Sequence, residues 1–339
     1  MIKARGLARR FWRRGRTGGD VHAVKGVDLD VAEGELVGFL GPNGAGKTTT
    51  LRMLTTLLRP TAGEATVAGC DLLRDPVGVR KRIGYVAQGG GTAPEYKVAE
   101  EIELQGMLYG LSKAEARRRG AMLTEQLDLA NLDHRLTKTL SGGQRRRLDI
   151  ALGLIHDPKL VFFDEPTTGL DPQSRANLWE HIRRLRAEQG VTLFLTTHYL
   201  DEADSLCDRI LVIDNGEIVA EGSPSSLKSR VSGDGVEIGV PPESVAAAAE
   251  IAGRLAGAHE VTRGEDSVRF RVPRGDTAMP ELLRALDAAG IGMTAMQVHR
   301  PTLDDVFLTL TGRTLRDAEE QPAGDSSASG KSEEAAHVA

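Results

Sequence analysis

The residues best placed to do chemistry form one stretch, Gly41-Pro42-Asn43-Gly44-Ala45-Gly46-Lys47-Thr48-Thr49, which fits the pattern G-x-x-x-x-G-K-[ST]. Glycines at this spacing let successive backbone N–H groups face one concavity. A helix that starts there adds partial positive charge, so the stretch suits a polyphosphate. Lys47 would reach the β- and γ-phosphates, and the Thr48 hydroxyl would ligate Mg²⁺. A second group of residues lies further along. Asp164-Glu165 offers two adjacent carboxylates, one to hold Mg²⁺ through water and one to polarise an attacking water. Gln88 could sense the metal and the γ-phosphate with its amide, and His198 stands within reach of the same phosphate. Leu140-Ser141-Gly142-Gly143-Gln144 is a second glycine turn before a helix, again an N-terminus offered to an anion. Gly169-Leu170-Asp171 follows the carboxylates. Taken singly, each has a plainer account: a common Gly turn, a solvated strand end, a satisfied polar histidine. Their fixed order, at strand ends and helix starts, does not.

The surrounding sequence supplies elements to aim these groups. Glu35 to Leu40 is an apolar run of strand length, and Leu51, Leu54 and Leu58 form a helical stripe over Thr48 to Arg59 that stops at Pro60. Val27, Leu29 and Val31 alternate with polar residues as a half-buried strand. Pro60 to Glu64 reads as a turn, Ala65 to Gly69 as a short strand, and Ile83 to Ala87 as a strand closed by Gln88. After the break at Gly89-Gly90-Gly91 the texture is helical from Lys97 to Leu129, with a capping box at Ser112-x-x-Glu115. A helix from Arg145 to Ile155 follows the second glycine turn. Leu160 to Phe163 and Val191 to Thr196 are buried-strand runs, the latter leading to His198. Between them Asp171-Pro172 reads as an N-cap and first helical position, launching a helix through Arg186. Arg209 to Ala220 reads as a hairpin turning at Asn215-Gly216. Strands alternating with helices give an α/β class with a mostly parallel sheet.

At 339 residues, 40% hydrophobic and 27% charged, with mean hydropathy −0.25, the chain has room for one large and one smaller globular domain. A net charge of −5 gives no reason to expect a nucleic-acid partner. Cys70 and Cys207 form no C-x-x-C and no disulfide framework, which fits a reducing cytoplasm. No run of eighteen apolar residues is present, so no bilayer span is expected. The basic N-terminus (Lys3, Arg5, Arg9, Arg10, Arg13, Arg14, Arg16) lacks a signal-peptide core and reads as a solvated segment.

The first domain is expected over residues 1–222, with a Ser/Gly/Pro linker at 223–234 and a small α+β domain at 235–315. In that domain a strand (Val236 to Val240), an Ala-rich helix (Glu243 to Leu255), a strand pair (Glu260 to Val272), a helix (Pro280 to Ala289) and a strand (Met293 to His299) run βαββαβ, a ferredoxin-like order. A last helix would start near Thr302. Residues 316–339 carry no aromatics and read as a disordered tail.

In this order the motifs resemble the ATP-binding subunit of an ABC transporter. Walker A is Gly41 to Thr49, the Q-loop Gln88, the signature Leu140 to Gln144, Walker B Leu160 to Asp164, the catalytic glutamate Glu165, the D-loop Gly169 to Asp171 and the switch histidine His198. Arg300 to Leu308 and Arg145-Arg146-Arg147-Leu148-Asp149 resemble the daunorubicin-resistance type of bacterial drug-exporter ATPase. The resemblance implies a P-loop NTPase core with a helical subdomain, the cofactors ATP and Mg²⁺, and Lys47, Glu165 and His198 in catalysis. It places Thr48, Gln88 and Asp164 at the metal. It also implies a homodimer whose composite sites close ATP on one Walker A with Leu140 to Gln144 of the other copy. A separate membrane permease would hold the chain at the cytoplasmic face and export a drug, antibiotic or other hydrophobic compound. The sequence departs from the family pattern at two places. Phe11, with Trp12 second, is the candidate to stack adenine, but the insertion Arg13 to Gly19 shifts the register. Gly89 to Pro94 replaces the usual apolar and acidic residues where the permease docks.

Two other readings compete. A non-transport ATPase of this superfamily, acting on ribosomes or DNA, resembles two cassettes in one chain or two halves split by a coiled coil, and neither pattern occurs here. A catalytically silent subunit is disfavoured by intact Lys47, Asp164, Glu165 and His198. The small domain reads as a packing or dimer-stabilising module, with ligand sensing as the sharper alternative.

Overall fold

The computed structural model describes residues 1–12, 20–231, 233–315 and 317. The first part of the chain forms β1 (Ile2–Trp12), β2 (Asp20–Val31), β3 (Leu36–Leu40), α1 (Lys47–Leu54), β4 (Ala62–Val67), β5 (Cys70–Asp71), α2 (Pro76–Arg82) and β6 (Ile83–Val86). Helices α3 (Val98–Leu108), α4 (Lys113–Gln126) and α5 (Gly142–Leu154) follow. Next come β7 (Leu160–Asp164), α6 (Pro172–Gln189), β8 (Thr192–Thr197), α7 (Leu200–Leu206), β9 (Arg209–Asp214), β10 (Glu217–Gly222) and α8 (Pro224–Lys228). The remainder is β11 (Asp234–Gly239), α9 (Val245–Gly253), β12 (His259–Arg263), β13 (Ser267–Val272), α10 (Gly275–Ala288), β14 (Ala295–His299) and α11 (Leu303–Thr311).

The six-stranded sheet β10-β9-β3-β8-β7-β6 is parallel except for its β9–β10 hairpin. Because side chains alternate across a strand, its apolar runs serve two cores. Leu36, Leu40, Val161, Phe163, Leu193 and Leu195 share one cluster with residues of α5, α6 and α7. Val37, Phe39, Phe162, Phe194 and Leu211 share the other with α1 and with Ile2, Leu7 and Val67 of the antiparallel sheet β2-β1-β4-β5. Phe194 stacks obliquely between Phe39 and Phe162, at centroid distances of 5.7 and 5.6 Å. Each such ring, fully buried, contributes about 1.5–3 kcal/mol. Cys70 and Cys207 are buried free thiols.

The parallel strands point the same way, so their carboxyl ends emerge together. β3 leads to Gly41, β6 leads to Gln88, β7 ends in Asp164 and β8 leads to His198. In an α/β sheet this edge is where ligands are gathered. The third sheet, β12-β13-β11-β14, has all its neighbours antiparallel and packs α9 and α10 over Val236, Ile238, Val268, Phe270 and Val272. That is the expected ferredoxin-like order.

Several expectations are corrected. The basic N-terminus is a strand: Ile2, Ala4 and Leu7 are buried while Arg5 hydrogen-bonds Asp30 at 2.6 Å. Its alternation is broken by a bulge near Gly6 (φ 58°), where Gly63 approaches so closely that a Cβ there would lie 2.2 Å from the Gly6 carbonyl oxygen. Arg13, Arg14 and Arg16 lie outside the described residues, as does the tail from 318 onward. Helix α1 stops at Leu54, where the Thr55 hydroxyl bonds the Leu51 carbonyl and Thr56 turns left-handed (φ 64°). Helix α2 was not expected, although Asp75-Pro76 carries the same cap signal as Asp171-Pro172. Ser112 caps α4 by accepting from the Glu115 N–H at 3.2 Å, but the Glu115 carboxylate turns to Arg118 and Arg119 instead of closing the box. Pro280 sits inside α10, which begins at Gly275.

The expected linker contains α8, capped by Ser223, which puts Leu227 wholly inside the first core. Helix α11 was expected to close the small domain. It packs against α7 and α8 instead, and Leu303, Val306 and Phe307 join the first core. Thr302 and Asp305 cap it reciprocally.

Candidate active site

The loop after β3 is held by backbone contacts that only glycine permits. A Cβ at Gly41 would lie 2.2 Å from the Ile213 carbonyl oxygen, and one at Gly46 (φ 106°) would lie 2.5 Å from that of Ala23. Gly46 is the N-cap of α1, and no side chain caps that helix, so its first N–H groups face the loop. Lys47 is 4% exposed and donates to the carbonyls of Gly41 (2.7 Å) and Pro42 (3.1 Å). A cavity of about 190 Å³ is lined by Ala23, Pro42, Asn43, Gly44, Gly46, Lys47, Thr48, Thr49, Gln88 and Glu165. Loop, helix start and ammonium fit a phosphate chain.

The end of β7 brings Glu165 to the wall of this cavity and Asp164 against Thr48, which also lines it. The Thr48 hydroxyl donates to Asp164 Oδ1 at 3.0 Å, and Thr196 donates to the same oxygen at 2.9 Å. Register explains the second bond, since Asp164 of β7 lies level with Thr196 of β8. A hydroxyl and a carboxylate are hard oxygen donors, the kind Mg²⁺ takes. Among the described residues no group of three His, Cys, Asp or Glu side chains could hold a metal alone. The set therefore fits a cation shared with a bound polyphosphate.

Glu165 is the hub. It is 7% exposed, and its backbone is left-handed at φ 44°, a sparsely populated conformation for a non-glycine residue. Its N–H donates to the Thr196 hydroxyl at 3.1 Å. Its carboxylate accepts from Gln88 Nε2 (2.9 Å) and the Thr168 hydroxyl (3.2 Å), and it lies 3.3 Å from both Lys47 Nζ and His198 Nδ1. Burial pushes the carboxyl pKa up, but the His198 hydrogen bond and the Lys47 and His198 charges outweigh it and hold the group at about 2. Glu165 is thus ionised across the physiological range.

Other sequence-derived candidates stand apart. Ser141 caps α5, which begins at Gly142 rather than Arg145, and exchanges bonds with Gln144 (3.2 and 3.0 Å). Neither Leu140 nor Ser141 to Gln144 lines the cavity; Gly143 lies against Ser174 and Gly142 near Leu170. Asp171 caps α6, accepting from the Ser174 N–H and hydroxyl at 2.9 and 2.6 Å, and these bonds lower its pKa. Phe11 does not line the cavity. It pairs with Val21 and carries the Arg9 guanidinium 4.7 Å from its ring centroid, while Trp12 is 81% exposed. Thr196, Thr168 and Ala23 were missed. Thr196 had a signal, a hydroxyl inside an apolar strand two residues before His198.

Parallel strands that converge on a glycine loop, a Mg²⁺-type donor pair and an ionised glutamate define an ATPase of the ABC type. The profile of the ABC transporter family matches residues 24–168, and that of the ATP-binding protein DrrA1-3-like C-terminal domain matches 222–311. The chain is 44% identical over 300 residues to a daunorubicin resistance ATP-binding protein, DrrA3, of Streptomyces coeruleorubidus, spanning 88% of this chain and 94% of that one. It is 41% identical over 302 residues to a Nod factor export ATP-binding protein I of Cupriavidus pinatubonensis (88% and 89%). Among solved structures it resembles the dimeric cassette MJ0796 in a post-hydrolysis state with ADP and Pi. The TM-score is 0.60 at 28% identity, covering 66% of this chain and 98% of that one. The chain belongs to the ABC transporter ATP-binding proteins of the daunorubicin/doxorubicin-resistance type.

Proposed function

We propose that this chain is the ATP-hydrolysing subunit of an exporter, and that two copies pair head to tail to power a separate membrane permease. The observation that carries the reading is the meeting of Lys47, Gln88 and His198 on Glu165, beside the cavity that Lys47, Gln88 and Glu165 line, with Ser141 to Gln144 set away from it. A second copy supplies those signature residues to close ATP from the opposite side, which ties dimer closure to nucleotide. The dimeric state of the cassette MJ0796 supports this arrangement.

In the reaction, the α1 N-terminus and the loop amides hold the phosphates and Lys47 bridges to the γ-phosphate. Thr48, Asp164 and Gln88 would hold Mg²⁺, which when bound would neutralise charge on the phosphate oxygens. Glu165 orients the attacking water and accepts its proton, while His198 donates to the γ-phosphate. As Lys47 turns from the Glu165 carboxylate to phosphate it loosens its hold on that group, whose proton affinity rises toward that of a working base. Phe11 is retained as the residue that stacks adenine. Asp171 faces the neighbouring copy near the composite site.

The permease docks on the face formed by Gly89 to Pro94 and by Leu104, Met107 and Leu108 of α3, which are 41%, 48% and 73% exposed. No helix among the described residues is long and apolar enough to cross a membrane, so the chain would sit at the cytoplasmic face through that partner. Relatives named for daunorubicin and linearmycin resistance favour an antibiotic or other hydrophobic cargo. No nucleic-acid role is proposed. Residues 235–302, without α11, form the small C-terminal domain.

The test is ATP hydrolysis by the purified chain across a range of protein concentrations, beside Glu165→Gln. Turnover per subunit should rise with concentration, and Glu165→Gln should accumulate an ATP-bound dimer. Turnover per subunit that is independent of concentration, with Glu165→Gln monomeric in ATP, overturns the composite-site reading.

A further inference from the structure

Arg146 on α5 is 7% exposed, and its guanidinium is satisfied by three main-chain carbonyls from two separate segments. Nη1 donates to the Ala87 carbonyl at 2.5 Å, Nε to Pro166 at 2.7 Å and Nη2 to Asp164 at 3.2 Å. Ala87 precedes Gln88, while Asp164 and Pro166 flank Glu165. One side chain therefore holds the carbonyls of the residues on both sides of Glu165 and of the residue before Gln88, and the Glu165 and Gln88 side chains meet at 2.9 Å. One turn further along α5, Asp149 is 8% exposed and lies 3.8 Å from Arg146. It accepts from the Gly91 N–H at 3.4 Å. Gly90 is left-handed (φ 70°), and a Cβ there would come within 3.1 Å of Asp149 Oδ2. The glycine run after Gln88 is thus seated against this helix.

We propose that Arg146 is a positioning residue for hydrolysis: with Asp149 it braces the Gln88 loop and the Glu165 turn to α5, so that these three segments move as one body. The planar guanidinium suits the task because its fixed fork of donors can hold three carbonyls at set directions, which an ammonium cannot. The brace has a consequence that rests on the composite-site reading above. The same helix that presents Ser141 to Gln144 to the partner's nucleotide holds the chain's own Gln88 and Glu165, so closure of one site is passed to the other through Arg146.

The experiment measures saturated ATP turnover and the Kd of a fluorescent ATP analogue for the full chain and for Arg146→Gln, Arg146→Lys and Gly90→Ala. Small displacements of a catalytic group cost up to about 100-fold, so Arg146→Gln should lower kcat roughly 10- to 100-fold with Kd nearly unchanged. Arg146→Lys, which restores part of the contact set, should recover part of that loss. Gly90→Ala should lower kcat from the loop side without touching either braced side chain. It also keeps the test open if Arg146→Gln fails to fold. Wild-type kcat in folded Arg146→Gln, or kcat and Kd worsening in step, overturns the proposal. Glu165→Gln run in parallel separates the two readings. Wild-type turnover in that variant sinks the role given to Glu165 itself, whereas an inactive Glu165→Gln beside a fully active Arg146→Gln sinks only the brace.

Discussion

Replacing Glu165 by glutamine should change how stability depends on pH in a way set by the site's charges. In the folded chain the carboxyl sits at about 2, against an ordinary value of 4.5, a fall that corresponds to roughly 3 kcal/mol. Because the folded pKa is depressed, that stabilisation is fully present above the unfolded value and is lost as pH falls toward the folded one. At pH 4.5 the unfolded carboxyl is half protonated and the loss has begun; by pH 3.5 it reaches about 1 kcal/mol. Urea unfolding of wild type and Glu165→Gln between pH 3.5 and 5.5 measures it directly. Groups common to both proteins largely cancel in the difference. The stability gap between them should narrow by about 1 kcal/mol or slightly more over that range as the solution is acidified. Turnover of the variant at neutral pH should fall by about 10²–10⁴-fold, the usual contribution of a general base. A gap that stays flat from pH 5.5 to 3.5 would refute the ion pairing of Glu165 with Lys47 and His198.

Four other outcomes are expected. Thr196→Val removes one hydrogen bond from Asp164, which keeps the Thr48 hydroxyl, and one from the Glu165 N–H, which keeps the Thr196 carbonyl; urea titration should show a loss of about 1 kcal/mol, with slower turnover. Gly41→Ala drives a Cβ into the Ile213 carbonyl, so stability should drop by about 1–3 kcal/mol and affinity for a fluorescent ATP analogue should fall as the loop shifts. Leu227→Ala should cost about 2–5 kcal/mol in chemical unfolding, because α8 is part of the first core. Ser223→Ala, which removes only the cap of that helix, should cost about 1 kcal/mol; near-zero values for both would mean that α8 is a detached linker.

What the sequence determined by itself was local. The glycine loop is contiguous, so its nine residues name their own geometry. The N-caps at Ser112 and Asp171, the helix start near Thr302 and the Asn215-Gly216 turn each depend on bonds spanning a few residues, and all formed, although the Ser112 box did not close. The βαββαβ order was legible because each element carried its own period and punctuation. Motif order also placed Gln88, Asp164, Glu165 and His198 at strand ends, and the parallel sheet then brought those ends together. The N-terminal strand was hidden because arginines dominate its composition and the bulge at Gly6 interrupts its alternation. Only the tertiary structure decided that α8 and α11 serve the first core, since an amphipathic helix fixes its apolar face but not the surface that covers it. Only the fold could assign Thr196 and Arg146. A strand's register against its neighbour, or the set of carbonyls left for a buried guanidinium, is fixed by segments far apart in sequence. Arg146 and Ala87 are 59 residues apart, and no local pattern in either stretch specifies that they meet.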